Sequence, residues 1–523
     1  MSVLVRNPAD TTLGAALGEV ARLRPDQPAL LSPARTLTWA ALDDEVDRLA
    51  ALLDRVGVQP GDPVGLMCSR RVEVVTTFLA CARLGAVATP VAFALRPDRV
   101  ADQFETLGMV AVLTERGFDP LLERLGLSDR RKVVYVGPPG SLGDTRYDEI
   151  AKERREPPSF RARPDTVCYL NVTSGTTGRP KGARTTHRNI LVNALSGIEG
   201  LGFTDRDVFF GMFSVFSHPH ELFHRSLLVG GPAVVAEATS PRAVYEMVAR
   251  FRVTWVMAVP TFYQMMLDLG GTEGHDLGSL RVLEAGGDPV PEDTILEMER
   301  RFGVSFLPVW GSTETTGVVL ASAPGRPRKP GSLGRPVPHY EVHVAGPGGR
   351  DVPAGEVGEL WIRGPGVCSG YQNRPEETAA CFEDGWLHTG DLVRRDAEGF
   401  FHLVGRASDM IKVAGLRVYP LELEQAIRAH PDVQEVVVVR HPERLRGHVP
   451  RAIVVARPGT ALDPRGLRAF CRERLATFQI PRIFEIWKEI PRLPDGKVDR
   501  AAILARPSPP RGCQACGSPS PVR

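Results

Sequence analysis

The chain alternates short runs of β-branched and apolar residues with stretches of helical periodicity, and this alternation restricts its fold more than any other feature. Six runs have the composition of strands: residues 110–114, 132–136, 166–172, 233–236, 254–258 and 280–284. Residues 37–53 carry apolar side chains at helical spacing, and residues 73–91 combine a helix with a following strand. Strands that alternate with helices predict parallel sheets in a doubly wound α/β arrangement.

Length and composition predict two domains and a tail. A chain of 523 residues exceeds the size of one compact core. Residues 331–364 are rich in Gly, Pro and Val, so we expect a small antiparallel or barrel-like section there. From residue 409, helix and strand patterns follow in a βαβ-like order. We therefore predict an N-terminal domain over residues 1–407, a smaller mobile α+β domain over residues 408–505, and a disordered tail over residues 506–523.

The overall charge and the cysteines exclude several classes of protein. Lys and Arg together number 64 against 62 acidic residues, which argues against a nucleic-acid binder or a polybasic membrane binder. The eight cysteines are scattered apart from Cys513 and Cys516, so a disulfide scaffold is not expected. The N-terminus lacks a signal-peptide pattern, and no long uncharged apolar run occurs. We predict a soluble cytoplasmic protein and leave its oligomeric state open, a homodimer being one alternative.

A loop rich in glycine and threonine has the chemistry of a polyphosphate-binding site. It consists of Thr173, Ser174, Gly175, Thr176, Thr177, Gly178, Arg179, Pro180, Lys181 and Gly182. Bare backbone N–H groups, short hydroxyl donors and two cations are combined in it. It is not the P-loop of kinases, because Gly182 stands where that motif has its magnesium-binding Ser or Thr. The loop follows the predicted strand at 166–172, so we expect it at the carboxyl end of a sheet, where α/β proteins bind ligands.

This loop resembles the phosphate-binding signature of the adenylate-forming enzymes. That superfamily includes acyl- and aryl-CoA synthetases, the adenylation domains of peptide synthetases, and firefly luciferase. The resemblance extends over residues 37–503, and between residues 331 and 424 it is nearest to the benzoate-type CoA ligases. It implies that Mg²⁺-bound ATP and a carboxylic acid react to form an acyl-adenylate, which CoA then converts to a thioester. An aromatic or short acid is weakly preferred.

The segment Trp310-Gly311-Ser312-Thr313-Glu314 resembles the aromatic-G-x-T-E motif of the family. The resemblance implies that Trp310 stacks on adenine and that the Thr313 hydroxyl contacts the α-phosphate. It also implies that the Glu314 carboxylate binds Mg²⁺, a hard ion that prefers oxygen ligands. A buried structural tryptophan followed by a capped turn is the alternative for this segment taken alone.

Two further segments resemble the parts of the family that hold the nucleoside. Gly286, Gly287 and Asp288 correspond to the stretch whose backbone lines the adenine pocket. Asp391, in W-L-H-T-G-D, corresponds to the aspartate that accepts hydrogen bonds from both ribose hydroxyls, and Arg406 would approach the same ribose. Each segment taken alone also fits an ordinary turn, so their joint occurrence in the expected order supports the prediction.

The C-terminal part of the chain carries three more positions that the resemblance makes functional. Lys497, in P-R-L-P-D-G-K-V-D-R, corresponds to the lysine that contacts the attacking carboxylate and the α-phosphate. Ser408 stands at the hinge, where relatives usually have Asp or Lys. Gly415 lies in the loop 413–417 that enters the site for the thioester step. A lysine after Asp-Gly is otherwise an ordinary solvated turn residue.

The acid pocket is predicted around Phe216, Ser217 and His218. Ser217 stands where relatives usually carry a histidine or an aromatic residue. Together with the backbone of Gly286 and Gly311, these residues are expected to form a pocket more polar than a fatty-acid tunnel. We also expect His220 to line it. Histidines in residues 218–224 raise a metal site as an alternative, although one cluster with H-x-H spacing is a weak signal. The Cys513/Cys516 pair is half a zinc site at most.

The sequence therefore predicts an AMP-forming acid:CoA ligase that uses ATP, Mg²⁺ and CoA and alternates its two domains between half-reactions. Its partners are a small carboxylic acid and CoA, or a carrier protein in place of CoA. A stand-alone adenylation enzyme that transfers to a carrier protein or an amine is the first alternative. A nucleotide-binding regulator without catalysis is the second, and the joint presence of Glu314, Asp391 and Lys497 argues against it.

Overall fold

The computed structural model describes the chain apart from residues 1–2, 70, 94, 127–131, 139, 144, 153–161, 174–180, 213–215, 217, 237–239, 327, 493–497 and 507–523. It divides into two compact units, Met1–Leu403 and Val404–Arg523. The predicted loop residues 174–178, Ser217, Lys497 and nearly all of the predicted tail lie outside the described residues.

The first unit contains the strands β1 (Pro28–Leu31), β2 (Thr36–Thr38), β3 (Pro63–Met67), β4 (Val87–Pro90), β5 (Ala111–Thr114), β6 (Lys132–Tyr135), β7 (Val167–Thr173), β8 (Lys181–Thr186), β9 (Phe209–Gly211), β10 (Ala233–Val234), β11 (Trp255–Ala258), β12 (Val282–Ala285), β13 (Ser305–Ser312), β14 (Gly317–Ala321), β15 (Arg335–Pro336), β16 (Glu341–Ala345), β17 (Val357–Arg363), β18 (Phe382–Glu383) and β19 (Trp386–Arg395). A further strand, β20 (Phe401–Arg406), crosses the division between the units.

The helices of the first unit are α1 (Leu13–Leu23), α2 (Trp39–Arg55), α3 (Arg71–Leu84), α4 (Pro97–Leu107), α5 (Asp119–Arg124), α6 (His187–Leu201), α7 (His224–Val229), α8 (Pro241–Phe251), α9 (Pro260–Leu269), α10 (Glu292–Phe302) and α11 (Pro375–Cys381). Short 3-10 helices occur at Pro8–Asp10, Arg116–Phe118, Tyr147–Lys152, Pro219–Leu222 and Pro347–Gly349. No helix in the described part of the chain combines the length and apolar character needed to cross a membrane.

The first unit is built around two large sheets, and the predicted doubly wound α/β arrangement is confirmed. The larger has the order β15-β14-β13-β12-β11-β9-β10-β1-β2, with β13 through β1 running parallel. The smaller has the order β6-β5-β3-β4-β7-β8 and is parallel except for β8. All six runs predicted as strands form strands of these two sheets.

Central strands of the larger sheet are covered on both faces. In β11, Trp255 and Met257 belong to one buried apolar cluster, whereas Val256 and Ala258 belong to another. Successive side chains of a strand point to opposite faces, so both faces of the sheet are buried. This explains why β11 is apolar at every position instead of alternating with polar residues.

A five-stranded antiparallel sheet follows in the chain. Its order is β16-β17-β19-β18, and β20 pairs with β19. This agrees with the predicted small antiparallel section, although the sheet continues beyond residue 364. The strand β15, which lies inside the predicted section, pairs instead with β14 of the larger sheet.

The second unit contains β21 (Ile411–Val413), β22 (Leu416–Val418), α12 (Pro420–Arg428), β23 (Val433–Glu443), β24 (Gly447–Ala456), α13 (Pro464–Arg472), β25 (Ile483–Trp487) and α14 (Arg500–Ala505). The sheet order is β22-β21-β24-β23, and β25 pairs with β24 in parallel. Because α13 connects these two parallel strands, the predicted βαβ element is present. A core of Ile, Val and Leu side chains lies between the sheet and α12 and α13.

Candidate active site

The glycine- and threonine-rich loop connects β7 to the antiparallel strand β8. Residues 174–180 lie outside the described residues, and on either side of them Thr173 pairs with Lys181 across the ladder. Since β7 is parallel to β4, the loop leaves the carboxyl end of the smaller sheet, as predicted. The sequence did not predict that the loop closes a hairpin. Lys181 is half-buried, and its Nζ lies 5.3 Å from the centroid of the Tyr371 ring.

The strand β8 leads directly into α6, whose first turn is closed by a reciprocal cap. The Asn189 N–H donates to Thr186 Oγ1 at 3.2 Å, and the Thr186 N–H donates to Asn189 Oδ1 at 2.8 Å. Asn189 Nδ2 also donates to the carbonyls of Pro365 and Val367, at 2.7 and 3.0 Å. The start of α6 is thereby fastened to the segment that precedes residue 368.

The tight connection between β13 and β14 presents Thr313 and Glu314. The Ser312 N–H donates to Thr315 Oγ1 at 2.9 Å, and Thr315 Oγ1 donates to the Gly317 carbonyl at 2.7 Å. A side chain at Gly311 does not fit, because its Cβ would lie 2.3 Å from the Gly317 carbonyl oxygen. Glu314 is half-buried, and its Oε1 accepts a hydrogen bond from the Tyr371 hydroxyl at 2.6 Å.

Trp310 joins this turn to Asp391. The indole Nε1–H donates to Asp391 Oδ2 at 2.9 Å, and both side chains are buried. The adjoining backbone of β19 is fixed as well, since the Gly390 N–H donates to Glu359 Oε1 at 2.8 Å. The stacking of Trp310 on adenine stays a prediction. The structure shows a different contact of this side chain: its indole N–H orients the Asp391 carboxylate.

The predicted adenine segment follows β12 in the larger sheet. Gly286 is buried, whereas Gly287 and Asp288 are exposed. Because β12 and β13 are neighbouring parallel strands, their carboxyl ends lie at the same edge of the sheet. Gly286 therefore lies near the start of the 310–314 motif, where a Cβ on it would be 3.2 Å from Val309 Cγ2.

Two of the predicted acid-pocket residues, Phe216 and His218, have side-chain partners in the smaller-sheet part of the first unit. The ring of Phe216 packs edge-on against Phe93 at a centroid distance of 5.2 Å. Asn171 Nδ2 lies 3.2 Å from His218 Nδ1, and because an amide N–H donates, the imidazole nitrogen accepts. Tyr169 donates to Asn171 Oδ1 at 2.8 Å, so His218 is oriented through a buried chain of hydrogen bonds.

The expectation that His220 lines the acid pocket is corrected by the structure. His220 is fully buried, and its Nε2–H donates to the Thr316 carbonyl at 2.9 Å. Burial lowers its pKa to about 4. The imidazole is therefore neutral and supports the turn that carries Glu314. Among the described residues there is no group of three or more His, Cys, Asp or Glu side chains placed to hold a metal ion, so the metal alternative for residues 218–224 gains no support.

Sequence reasoning missed a buried ion pair between Arg225 and Glu284. Arg225 of α7 donates to both carboxylate oxygens of Glu284 in β12, at 2.6 and 2.9 Å, and both side chains are fully buried. The Trp255 indole N–H donates to Glu284 Oε2 at 2.8 Å. Glu284 lies two residues before Gly286, so this pair fixes the end of β12 from below. An arginine and a glutamate inside apolar runs were the only signal in the sequence.

Glu221 lies next to this pair and has an unusual protonation state. Burial, partly opposed by Arg225, raises the pKa of Glu221 to about 7 from an ordinary value of 4.5. The folded protein therefore holds this proton more tightly than the unfolded chain. The resulting stabilisation is fully present below pH 4.5 and is lost as the pH rises through about 7.

Glu221→Gln replaces the carboxyl by a neutral group of the same shape, so the variant should not show this loss. We expect its free energy of unfolding to increase relative to that of wild type by up to about 3 kcal/mol as the pH rises from 5 to 8, which means that the variant becomes the more stable of the two. Denaturant unfolding across this range measures the difference. Glu246→Gln, on the exposed face of α8, is the control and should show no such slope. Parallel curves for wild type and Glu221→Gln would contradict the assignment.

The second unit carries the remaining described candidates. Arg406 ends β20, and Ser408 is exposed with its hydroxyl 3.2 Å from Asp409 Oδ1. Ala414 and Gly415 form the exposed two-residue tip between β21 and β22. Their φ angles are +49° and +86°, and positive φ at both central residues is the requirement of a type I′ hairpin. The predicted loop at 413–417 is therefore a tight hairpin.

Lys497 lies outside the described residues, but its flanks are described. Arg492 and Val498 form an antiparallel bridge, and the Asp499 N–H donates to the Pro491 carbonyl at 2.8 Å. The residues on either side of the segment 493–497 are therefore fastened to one another. Arg500, which sequence reasoning did not single out, lies 3.4 Å from Asp409 Oδ2 and donates to Glu424 Oε1 at 3.1 Å.

Within the first unit, the structure brings together three motifs that are far apart in the chain. Tyr371 contacts both Lys181 and Glu314, and Trp310 of the Glu314 motif binds Asp391. A cation and two carboxylates held together in this way have the chemistry that would suit a nucleotide. Comparison with known proteins agrees with it: residues 17–372 match the AMP-binding enzyme family, and residues 422–497 match the AMP-binding enzyme C-terminal domain. The chain belongs to the AMP-binding enzyme family, and the predicted resemblance to adenylate-forming enzymes is confirmed.

Individual relatives cover nearly the whole chain. A feruloyl-CoA synthase from Amycolatopsis sp is 34% identical over 496 residues, which make up 93% of this chain and 97% of the relative. A fatty acid–[acyl-carrier-protein] ligase, ScoC, from Streptomyces coeruleorubidus is 31% identical over 500 residues, or 93% of this chain and 94% of the relative. Among solved structures, the anthranilate CoA ligase AuaEII in complex with anthranoyl-AMP superposes with a TM-score of 0.88 at 28% identity, covering 95% of this chain and 97% of AuaEII.

Proposed function

We propose that this chain is an AMP-forming acid:CoA ligase acting on a small carboxylic acid. In the first half-reaction a carboxylate oxygen bonds to the α-phosphorus of ATP, and pyrophosphate leaves. In the second, the CoA thiol attacks the acyl carbon, the thiol proton is released, and AMP leaves. The observation that carries this proposal is the convergence of Lys181, Glu314 and Asp391 on one side of a single unit through Tyr371 and Trp310.

Each of these residues has chemistry suited to one part of ATP. The ammonium group of Lys181 and the loop N–H groups bind phosphate oxygens. The Asp391 carboxylate accepts ribose hydroxyl protons, and its Oδ2 is already oriented by the Trp310 indole. The backbone at Gly286, Gly287 and Asp288 lines the base.

The Glu314 carboxylate has the properties expected of a magnesium ligand. Its carboxylate is half-buried and is oriented by a hydrogen bond at Oε1, and carboxylate oxygens are the ligands that Mg²⁺ prefers. When bound, the ion neutralises phosphate charge and favours attack at the α-phosphorus. Thr313, adjacent to Glu314 on the same turn, is assigned to the α-phosphate.

We assign the second unit to catalysis in both half-reactions. Lys497 supplies a point charge to the carboxylate and the α-phosphate during adenylation. The Ala414/Gly415 hairpin serves the thioester step, and rotation about the segment at Ser408 exchanges the two arrangements. Arg406 is assigned to the ribose in one of them. Ser408 is exposed and has no bulky side chain, which suits a hinge position.

The acid is proposed to be aromatic or short and to enter beside Phe216, Ser217 and His218. An oriented imidazole next to an aromatic ring favours an acid with a polar ring substituent over a long alkyl chain. The similarity to a feruloyl-CoA synthase and to an anthranilate CoA ligase supports an aromatic acid.

A carrier protein is the second candidate for the acceptor of the acyl group, and the similarity to ScoC favours it. A cytoplasmic location is proposed because the cysteines are scattered along the sequence and do not have the pattern of a disulfide scaffold.

One experiment tests the function and separates the acceptors. Purified protein with Mg²⁺-ATP and a panel of aromatic, short-chain and long-chain acids is assayed for pyrophosphate and AMP. We expect acid-dependent pyrophosphate release with aromatic or short acids, and turnover on adding CoA. Turnover with a phosphopantetheinyl carrier protein and none with CoA identifies the alternative. Formation of ADP and phosphate, or no acid dependence with any member of the panel, would contradict the proposal.

A further inference from the structure

Residues 368–372, which precede α11, lie against both the phosphate-loop strand and the Glu314 turn. The Cys368 N–H donates to the Glu314 carbonyl at 2.8 Å. Further along, the Arg184 N–H donates to the Gly370 carbonyl and the Gln372 N–H donates to the Gly182 carbonyl, both at 2.8 Å. This short segment therefore binds the backbones of two motifs separated by more than a hundred residues in the chain.

Tyr371 is the side chain of this segment that contacts both charged groups of the site. Its hydroxyl donates to Glu314 Oε1 at 2.6 Å, and its ring centroid lies 5.3 Å from Lys181 Nζ. Its own backbone N–H donates to Thr378 Oγ1 of α11 at 3.0 Å. An ionised carboxylate only accepts hydrogen bonds, so the Tyr371 hydroxyl is the donor to Glu314.

We infer that Tyr371 is a positioning residue for magnesium-dependent nucleotide binding: it fixes the Glu314 carboxylate through Oε1 and holds the Lys181 ammonium against its ring. This inference rests on the proposed function of Glu314 as a magnesium ligand. A carboxylate without the hydrogen bond can rotate, and it loses part of its preorganisation for a cation. A hydrogen bond between a hydroxyl and a carboxylate of this length is of the strong, charge-assisted kind.

The alternative is that Tyr371 only fills space between β8 and α11. A matched control exists in the same protein, because Tyr135 of β6 is also buried in the first unit and donates to Asp119 Oδ1 at the same 2.6 Å. Tyr371→Phe and Tyr135→Phe each remove one hydroxyl from one carboxylate. The carboxylate is Glu314 in the first variant and Asp119, which is not part of the proposed site, in the second.

The test is a titration of free Mg²⁺ in two assays, ATP binding by calorimetry and acid-dependent pyrophosphate exchange. For Tyr371→Phe we expect the half-saturating Mg²⁺ concentration to rise about tenfold in both assays, since loss of an outer-shell partner of a metal ligand typically has this effect. Exchange should recover largely at saturating Mg²⁺. Tyr135→Phe should match wild type. A change of less than about twofold for Tyr371→Phe, or an equal rise in Tyr135→Phe, overturns the inference.

A double-variant cycle shows whether Tyr371 acts through Glu314. In the Glu314→Gln background, adding Tyr371→Phe should cause no further rise in the half-saturating Mg²⁺ concentration for ATP binding. An equal tenfold rise in both backgrounds would mean that the tyrosine acts elsewhere, and would overturn the inference.

Two further measurements cover the cases in which Tyr371→Phe does not fold or wild type shows no exchange. If Tyr371→Phe does not fold, Thr378→Val removes the hydroxyl that accepts from the Tyr371 N–H and should shift the Mg²⁺ dependence in the same direction; no shift counts against the inference. If wild type shows no acid-dependent exchange, the proposed function fails, and Mg²⁺-dependent ATP binding alone decides whether Tyr371 positions Glu314.

Discussion

Replacing Lys497 by alanine should lower the rate of acid-dependent pyrophosphate exchange by about 100- to 1,000-fold, the usual cost of removing one group that stabilises transition-state charge. Thioester formation from preformed acyl-adenylate and CoA should stay close to the wild-type rate. The reason is that a compact ammonium placed between the carboxylate and the α-phosphate is needed only while negative charge develops there. Single-turnover measurement of each half-reaction separates the two effects.

Two other variants serve as a control and as a test of the opposite defect. Lys488→Ala removes an exposed lysine from the same unit and should leave both half-reactions unchanged. Gly415→Val should produce the opposite defect, with adenylation retained and the thioester step slowed. Its Cβ meets no neighbouring atom, but a β-branched residue at φ +86° is strained and distorts the hairpin tip. Equal losses in both half-reactions for Lys497→Ala and Gly415→Val would refute the proposed division of labour.

Glu284→Gln should destabilise the first unit by about 3–5 kcal/mol, because it leaves the fully buried Arg225 guanidinium without its counter-charge. The variant also weakens the acceptor of the Trp255 indole N–H. Denaturant or thermal unfolding measures the loss. Because Glu284 lies two residues before Gly286, we expect nucleotide binding to weaken along with stability.

The control is again Glu246→Gln, which breaks the exposed ion pair with Arg242 and should cost less than about 1 kcal/mol. The double variant Arg225→Met/Glu284→Leu removes both charges and should recover most of the stability lost in the single variant, as apolar replacements of buried pairs often do. A loss below about 1 kcal/mol for Glu284→Gln would show that the buried pair contributes little.

The motifs whose residues are adjacent in the chain were predictable, because their chemistry is local. The strand that precedes the phosphate loop follows from its run of apolar and β-branched residues, whereas the turn at Thr313 and Glu314 and the loop at Gly415 were predicted from short contiguous motifs that resemble those of the family. Parallel strands with both faces buried, such as β11, follow from continuous apolar runs bounded by turn signals.

The contacts between motifs were not predictable in the same way. Tyr371 binding to Glu314, Trp310 binding to Asp391, and the hairpin that joins β7 to β8 each depend on tertiary packing of distant segments. Nothing local marks a tyrosine as the partner of a carboxylate 57 positions earlier. His220 was expected at the pocket because it belongs to the same loop as His218, whereas the 3-10 helix at Pro219–Leu222 places it in the interior.

The account depends on the acid carboxylate attacking the α-phosphorus of ATP, and oxygen-isotope transfer measures this directly. A substrate acid labelled with ¹⁸O at its carboxylate is converted to the CoA thioester, and the products are analysed by mass spectrometry. If an acyl-adenylate forms, the oxygen that joined the acid to phosphorus leaves with AMP, so AMP carries one labelled oxygen atom. Unlabelled AMP, or label recovered in inorganic phosphate together with ADP, would contradict the account.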